Sequence, residues 1–139
     1  DPDVDEALPA VCAAEGVSLI PYSPLAGGFL TGKYPRDSKA PAGTRGAKNS
    51  GWEDDRWRAR FSMRGWAVLD AMGAVAKSRG VPVAAVAVAW VLSQKAVASA
   101  IIGATKTSHI ADAAVAVGIA LSKDELDRID GARAGRAET

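Results

Sequence analysis

The 139-residue chain is 48% apolar and 24% charged with a net charge of +1, the make-up of one modest globular domain whose composition argues neither for nucleic acid nor for a membrane surface as partner. No stretch reaches 18 uninterrupted apolar residues, so no membrane partner is expected either. Cys12 is the only cysteine, which excludes a disulfide framework and a cysteine metal site and makes a reducing, cytoplasmic setting the expectation.

The chain opens Asp1-Pro2-Asp3, without Met or a basic-then-apolar leader, and reads as cut from something longer. Residues Asp3 to Glu15 have a helical pattern. Asp3 or Asp5 can cap it, and Leu8, Val11 and Cys12 share one face. Pro9 is compatible with a helix only in its first turn, so the regular helix is expected to begin after Asp5. Gly16 ends it, and Val17 to Pro21 reads as a short buried strand. Tyr22 to Tyr34 follows as a glycine-rich loop. Ser23 and the N–H groups around Leu25 to Gly28 can cradle phosphate, and Tyr22 can stack on a flat ring. The same residues also suit plain turn geometry, with Tyr22 a half-buried aromatic at a strand end.

Residues 35–65 change character. They are rich in Pro, Gly, Lys and Arg, and read as a long excursion with a short helical turn at Asp54 to Phe61. Such a loop is either solvated connection or the cover of a site. Trp66 to Arg79 is an amphipathic helix closed by Gly80. Pro82 opens a nearly all-apolar helix that runs to about Gln94 and must be buried on most sides. The four tryptophans, at Trp52, Trp57, Trp66 and Trp90, are too dispersed to form a stacking platform.

Ala98 to Ile102 reads as a strand covered on both faces. Gly103 permits a turn, and Thr105, Lys106, Thr107, Ser108 and His109 then open a helix that ends near Gly118. A helix start there points free N–H groups and a positive dipole end at the strand tip, an anion site with Lys106 and His109 beside it. The alternative is an ordinary connection whose polar residues cap the helix. Ser122 and Glu125 form a capping box for a last short helix through about Asp130, before a frayed tail from Gly131 to Thr139. Two short strands, each followed by helix, indicate parallel α/β units. Two strands do not make a stable sheet alone, so further strands are expected from elsewhere.

Val17 to Tyr34 resembles the seventh strand and following loop of the aldo-keto reductases. Val83 to Leu92 with Ile101-Ile102-Gly103-Ala104-Thr105-Lys106 resembles their last crossover helix and eighth strand, and Leu121-Ser122 with Glu125-Leu126 their closing helix. The resemblance covers residues 5 to 131. It implies an α/β fold, the C-terminal portion of a (β/α)8 TIM barrel. Residues 1–139 would then be one incomplete domain, its remaining strands supplied by upstream chain, since a whole barrel takes roughly 250 residues. It also implies NADPH as cofactor and an aldehyde or ketone as the small-molecule substrate.

By the same resemblance Tyr22 stacks on the nicotinamide, and Ser23, Leu25 and Gly27 hold the pyrophosphate. Gly103, Ala104, Thr105 and Lys106 wrap the adenosine phosphate. His109 stands where the family usually has Arg or Gln, Asp112 at an acidic position near the adenine, and Ala113 where Asn is common. The family's catalytic Asp, Tyr, Lys and His lie on earlier strands, so no catalytic residue is expected in this chain. It alone is expected to be inactive. Two other readings follow: a cofactor-sensing regulatory subunit of a membrane channel, and an inactive truncated remnant.

Overall fold

This computed structural model describes residues 2–36, 40–44, 46–47 and 59–135. Helix α1 spans Pro2–Ala14. It closes as expected at Gly16, which takes φ +65, and the Val17 N–H reaches back to the Cys12 carbonyl at 2.8 Å, an ending that a left-handed glycine makes possible. Pro9 lies inside the helix, contrary to the expectation that the helix begins after Asp5. Pro9 has no N–H to give the Asp5 carbonyl, so the helix runs through it at the loss of that one bond.

The chain then runs extended and pairs in parallel with the segment after Gln94, through bridges between Leu19 and Val97 and between Tyr22 and Ile101. The Leu19 N–H donates to the Ala96 carbonyl at 2.6 Å and its carbonyl accepts from Ala98 at 3.0 Å. A regular ladder would next have residue 21 donate to the Ala98 carbonyl. Pro21 has no N–H to give. The Pro21 carbonyl instead accepts from Ile101 at 2.8 Å, so the register slips by one residue and the pairing stays at isolated bridges. The expectation that Val17 to Pro21 and Ala98 to Ile102 are buried is not met. Val17, Ile20 and Ile101 are 57%, 58% and 56% exposed, because the described residues lay no further strand or helix over those faces.

The remaining elements are a 3-10 turn at Ala26–Thr31, α2 at Met63–Arg79, α3 at Val83–Leu92, α4 at Thr107–Val117 and α5 at Lys123–Ala134. The Ser62 hydroxyl caps α2 by accepting from the Gly65 N–H at 3.1 Å, which starts that helix three residues before Trp66. Pro82 is the cap of α3 rather than its first residue, and α3 ends at Leu92. The box at Ser122 and Glu125 forms as read. Helix α5 runs through Gly131 to Ala134 and closes at left-handed Gly135, so the frayed tail does not begin at Gly131. The Trp90 indole N–H donates to Asp130 at 3.1 Å and the Arg133 guanidinium stacks on the Trp90 ring. These contacts hold the last turn against α3.

Helix α3 is the centre of the core. Val86 and Ala87 pack with Met72, Val75 and Ala76 of α2 and Ile129 of α5. On its other side Ala85, Val88 and Ala89 pack with Ala116 of α4. Its alanines permit this close approach, and its lack of a polar face is explained by contact on both sides. Among the described residues no single helix is long and apolar enough to cross a membrane; α2 and α3 reach that length only together, across a bend of 105°. Of the excursion at 35–65, Trp52, Trp57 and most of the expected turn at Asp54 to Phe61 lie outside the described residues.

Candidate functional site

Parallel pairing brings the two candidate stretches to one edge. Tyr22 is bridged to Ile101, so Ser23 and Ile102 leave the same end of the pair, and the loops that follow start side by side. In parallel α/β units this carboxyl end of the strands is where ligands are held.

The first loop is shaped by backbone conformation. Ser23, Ala26, Gly27 and Gly28 all take positive φ, at +56, +49, +69 and +92. For Ser23 and Ala26 this is uncommon and must be held in place by neighbours. The Ala26 N–H donates to the Ser23 carbonyl at 2.9 Å, and the Leu25 carbonyl accepts from Gly28 at 2.9 Å and Leu30 at 3.2 Å. The Leu25 side chain packs into both halves of the core, so it is the backbone of Leu25 that belongs to the loop surface. Tyr22 is 79% exposed; its ring stands free as a stacking surface rather than half-buried.

Sequence reasoning missed Lys33. Its amine folds back on the loop, 2.6 Å from where a Cβ on Gly28 would stand. Only the absence of a side chain at Gly28 lets it sit there. The one signal in the sequence is a cation five residues past the paired glycines, and nothing local says that it turns back.

The second loop and the start of α4 are exposed from Gly103 to Ala111. Lys106 is the cap residue of α4, in extended conformation, and no side chain caps that end. The reading of the polar residues as caps is therefore not what the structure shows: no side chain caps the first N–H groups of α4, and the His109 N–H donates to the Lys106 carbonyl at 3.1 Å. The His109 ring turns back toward the loop, where Nδ1 accepts from the Thr105 N–H at 3.4 Å. Asp112 follows on the same helix, half-buried. Among the described residues no group of His, Cys, Asp and Glu is placed to hold a metal ion.

The Aldo/keto reductase family profile matches residues 1–134. The chain belongs to the aldo/keto reductase family. It is 36% identical over 121 residues to an uncharacterized oxidoreductase of Bacillus subtilis, covering 87% of this chain and 33% of that protein. It is 32% identical over 123 residues to a probable voltage-gated potassium channel beta subunit of Oryza sativa subsp. japonica, covering 83% and 35%. The chain thus spans about a third of the length of these curated relatives. The glycerol dehydrogenase of Gluconobacter oxydans superposes on 96% of the chain with a TM-score of 0.72 at 25% identity, and the match takes up 39% of that aldo-keto reductase barrel.

Proposed function

We propose that this chain is the cofactor-binding end of an NADPH-dependent aldo-keto reductase acting on aldehydes or ketones in the cytoplasm. In this reading residues 1–139 supply the last two βα units and the closing helix of a (β/α)8 barrel, and upstream chain supplies the other strands and the catalytic Asp, Tyr, Lys and His. The observation that carries it is the pairing of Tyr22 with Ile101, which sets two candidate phosphate loops at one strand end.

The residues fit the cofactor. The exposed Tyr22 ring matches a flat nicotinamide. The left-handed turn from Ser23 through Gly27 and Gly28 lets backbone approach a pyrophosphate, with the Lys33 amine alongside. Gly103, Ala104, Thr105 and Lys106 with the uncapped end of α4 suit the adenosine phosphate, and His109 and Asp112 flank the adenine. When bound, NADPH supplies the hydride for carbonyl reduction; this chain's own residues bind and orient it and keep water from its faces.

The preference for NADPH over NADH rests on Lys106 and the hydroxyls of Thr105 and Ser108 at a helix N-terminus, with no Asp or Glu from Ala98 to Ala111 to accept from a free ribose hydroxyl. A charge-assisted contact to phosphate is worth roughly 1.5–3 kcal/mol, so Lys106→Ala weakens NADPH binding about ten- to a hundredfold and leaves NADH binding unchanged. Titrating both cofactors against protein and variant by tryptophan fluorescence tests this. Equal loss for both would make Lys106 a solvated residue near a helix start.

A second reading is favoured by the likeness to the rice channel beta subunit: a barrel that binds the cofactor without turnover. The upstream chain decides between them. An intact Asp, Tyr, Lys and His set with NADPH oxidation supports the enzyme, and cofactor binding without oxidation supports the subunit. A remnant would show neither.

A further inference from the structure

We propose that Phe61 is a positioning residue for the phosphate-facing turn Ser23 to Gly28, an inference that rests on the cofactor-binding reading above. Phe61 comes from the far foot of the excursion, well separated in sequence from that turn. Its ring nevertheless stands edge-on to Phe29, with centroids 5.0 Å apart and planes at 70°. It meets Tyr34 at 5.6 Å and Trp66 at 6.0 Å, and Phe29 meets Trp66 at 4.9 Å. Phe29 and Tyr34 are only 2% and 3% exposed. The excursion thus starts at Tyr34 and returns at Phe61 in one aromatic cluster.

This cluster acts on the turn by two routes. Phe29 belongs to the 3-10 turn whose Gly28 and Leu30 N–H groups are gathered on the Leu25 carbonyl. A shift of the Phe29 ring therefore moves the backbone that presents Ser23 and Leu25. Tyr34 carries the Lys33 amine over its ring at 5.3 Å, and that same amine lies against Gly28. The left-handed conformations of Ser23 and Ala26 persist only where packing over-determines them. Edge-to-face rings have a preferred mutual orientation that an aliphatic side chain of similar volume does not impose. Phe61 is the one ring among these that touches both routes from outside the loop.

The test measures amide hydrogen exchange without ligand and NADPH titration, on the unmodified protein and on F61L, F61Y and R79Q. In F61L, exchange at Gly28, Leu30 and Gly32 rises about two- to tenfold with the α3 amides unchanged, and the NADPH dissociation constant rises by a similar factor. F61Y, which keeps the ring, restores both. R79Q, remote from the turn, lowers the melting temperature and moves neither. Unchanged exchange in F61L overturns the proposal, as does faster exchange with unchanged NADPH affinity, or the same response in R79Q. If the unmodified protein binds no NADPH, the cofactor reading falls, and the exchange measurement still decides whether Phe61 holds the turn.

Discussion

Glu125 ties the end of α2 to the start of α5. It accepts from Arg79 at the end of α2 through both oxygens, at 2.6 and 2.5 Å, and from the Ser122 N–H at 2.7 Å. The Arg79 guanidinium, helped by the Ser122 N–H and hydroxyl and opposed by partial burial, holds its carboxyl down to about 2 from the usual 4.5. A carboxylate depressed on folding adds stability that is present above its unfolded value and lost as pH falls toward its folded one. The melting temperature is therefore expected to drop between about pH 4.5 and 2, and more steeply in the unmodified chain than in Glu125→Gln, whose amide does not titrate. Circular dichroism melts across that range check it; parallel slopes would remove Glu125 from the account. The sequence shows the box, because Ser and Glu three apart form it locally. It does not show Arg79, which arrives from another helix.

Helices were legible where a local cap or stop defines them. Gly16, Gly80 and the Ser122 box all stand where the residues place them. They failed where tertiary contact extends a weak local signal. Helix α5 passes through Gly131 because Trp90 of α3 holds Asp130 and Arg133; the early start of α2 is instead local, a Ser62 cap on the Gly65 N–H that the apolar pattern from Trp66 does not reveal. Two substitutions separate these effects. Ser122→Ala removes a cap only and is expected to cost about 1 kcal/mol. Ile129→Ala empties a fully buried position between α2 and α3 and is expected to cost about 2–5 kcal/mol. Urea unfolding of both variants checks the order; a larger loss for Ser122→Ala would mean that α5 is held by its end and not by its face.

At the scale of the whole molecule, the helices enclose a core and the paired segments only touch it, through Ile102 beside Val88 and Ala89 of α3 and Ala116 of α4. Val17, Ile20, Tyr22 and Ile101 are exposed on a pair to which the described residues add no further strand, and Ile110, Val115 and Val117 are exposed on α4. Unpaired edges and apolar patches of this kind drive association. The chain by itself is expected to self-associate with rising concentration, and a longer polypeptide supplying the further strands that the proposed barrel calls for is expected to stay monodisperse under the same conditions. Sedimentation velocity over a concentration series distinguishes them. A strictly monomeric isolated chain would mean that these faces need no further strands.

The candidate site divides along the same line. The residues of the two loops, their glycines and the single cation at the head of α4 can be read from the sequence alone, since turn propensity and helix ends depend on neighbours a few positions away. The likeness to one family can be read too, because it spans nearly the whole chain. The meeting of the two loops depends on pairing between Tyr22 and Ile101, 79 positions apart. Lys33 folding over Gly28, the Leu25 side chain turning into the core, and Phe61 returning to Phe29 are likewise products of packing. Each is a contact whose energy comes from burial against a distant element, and the local chain carries no record of which distant element that is.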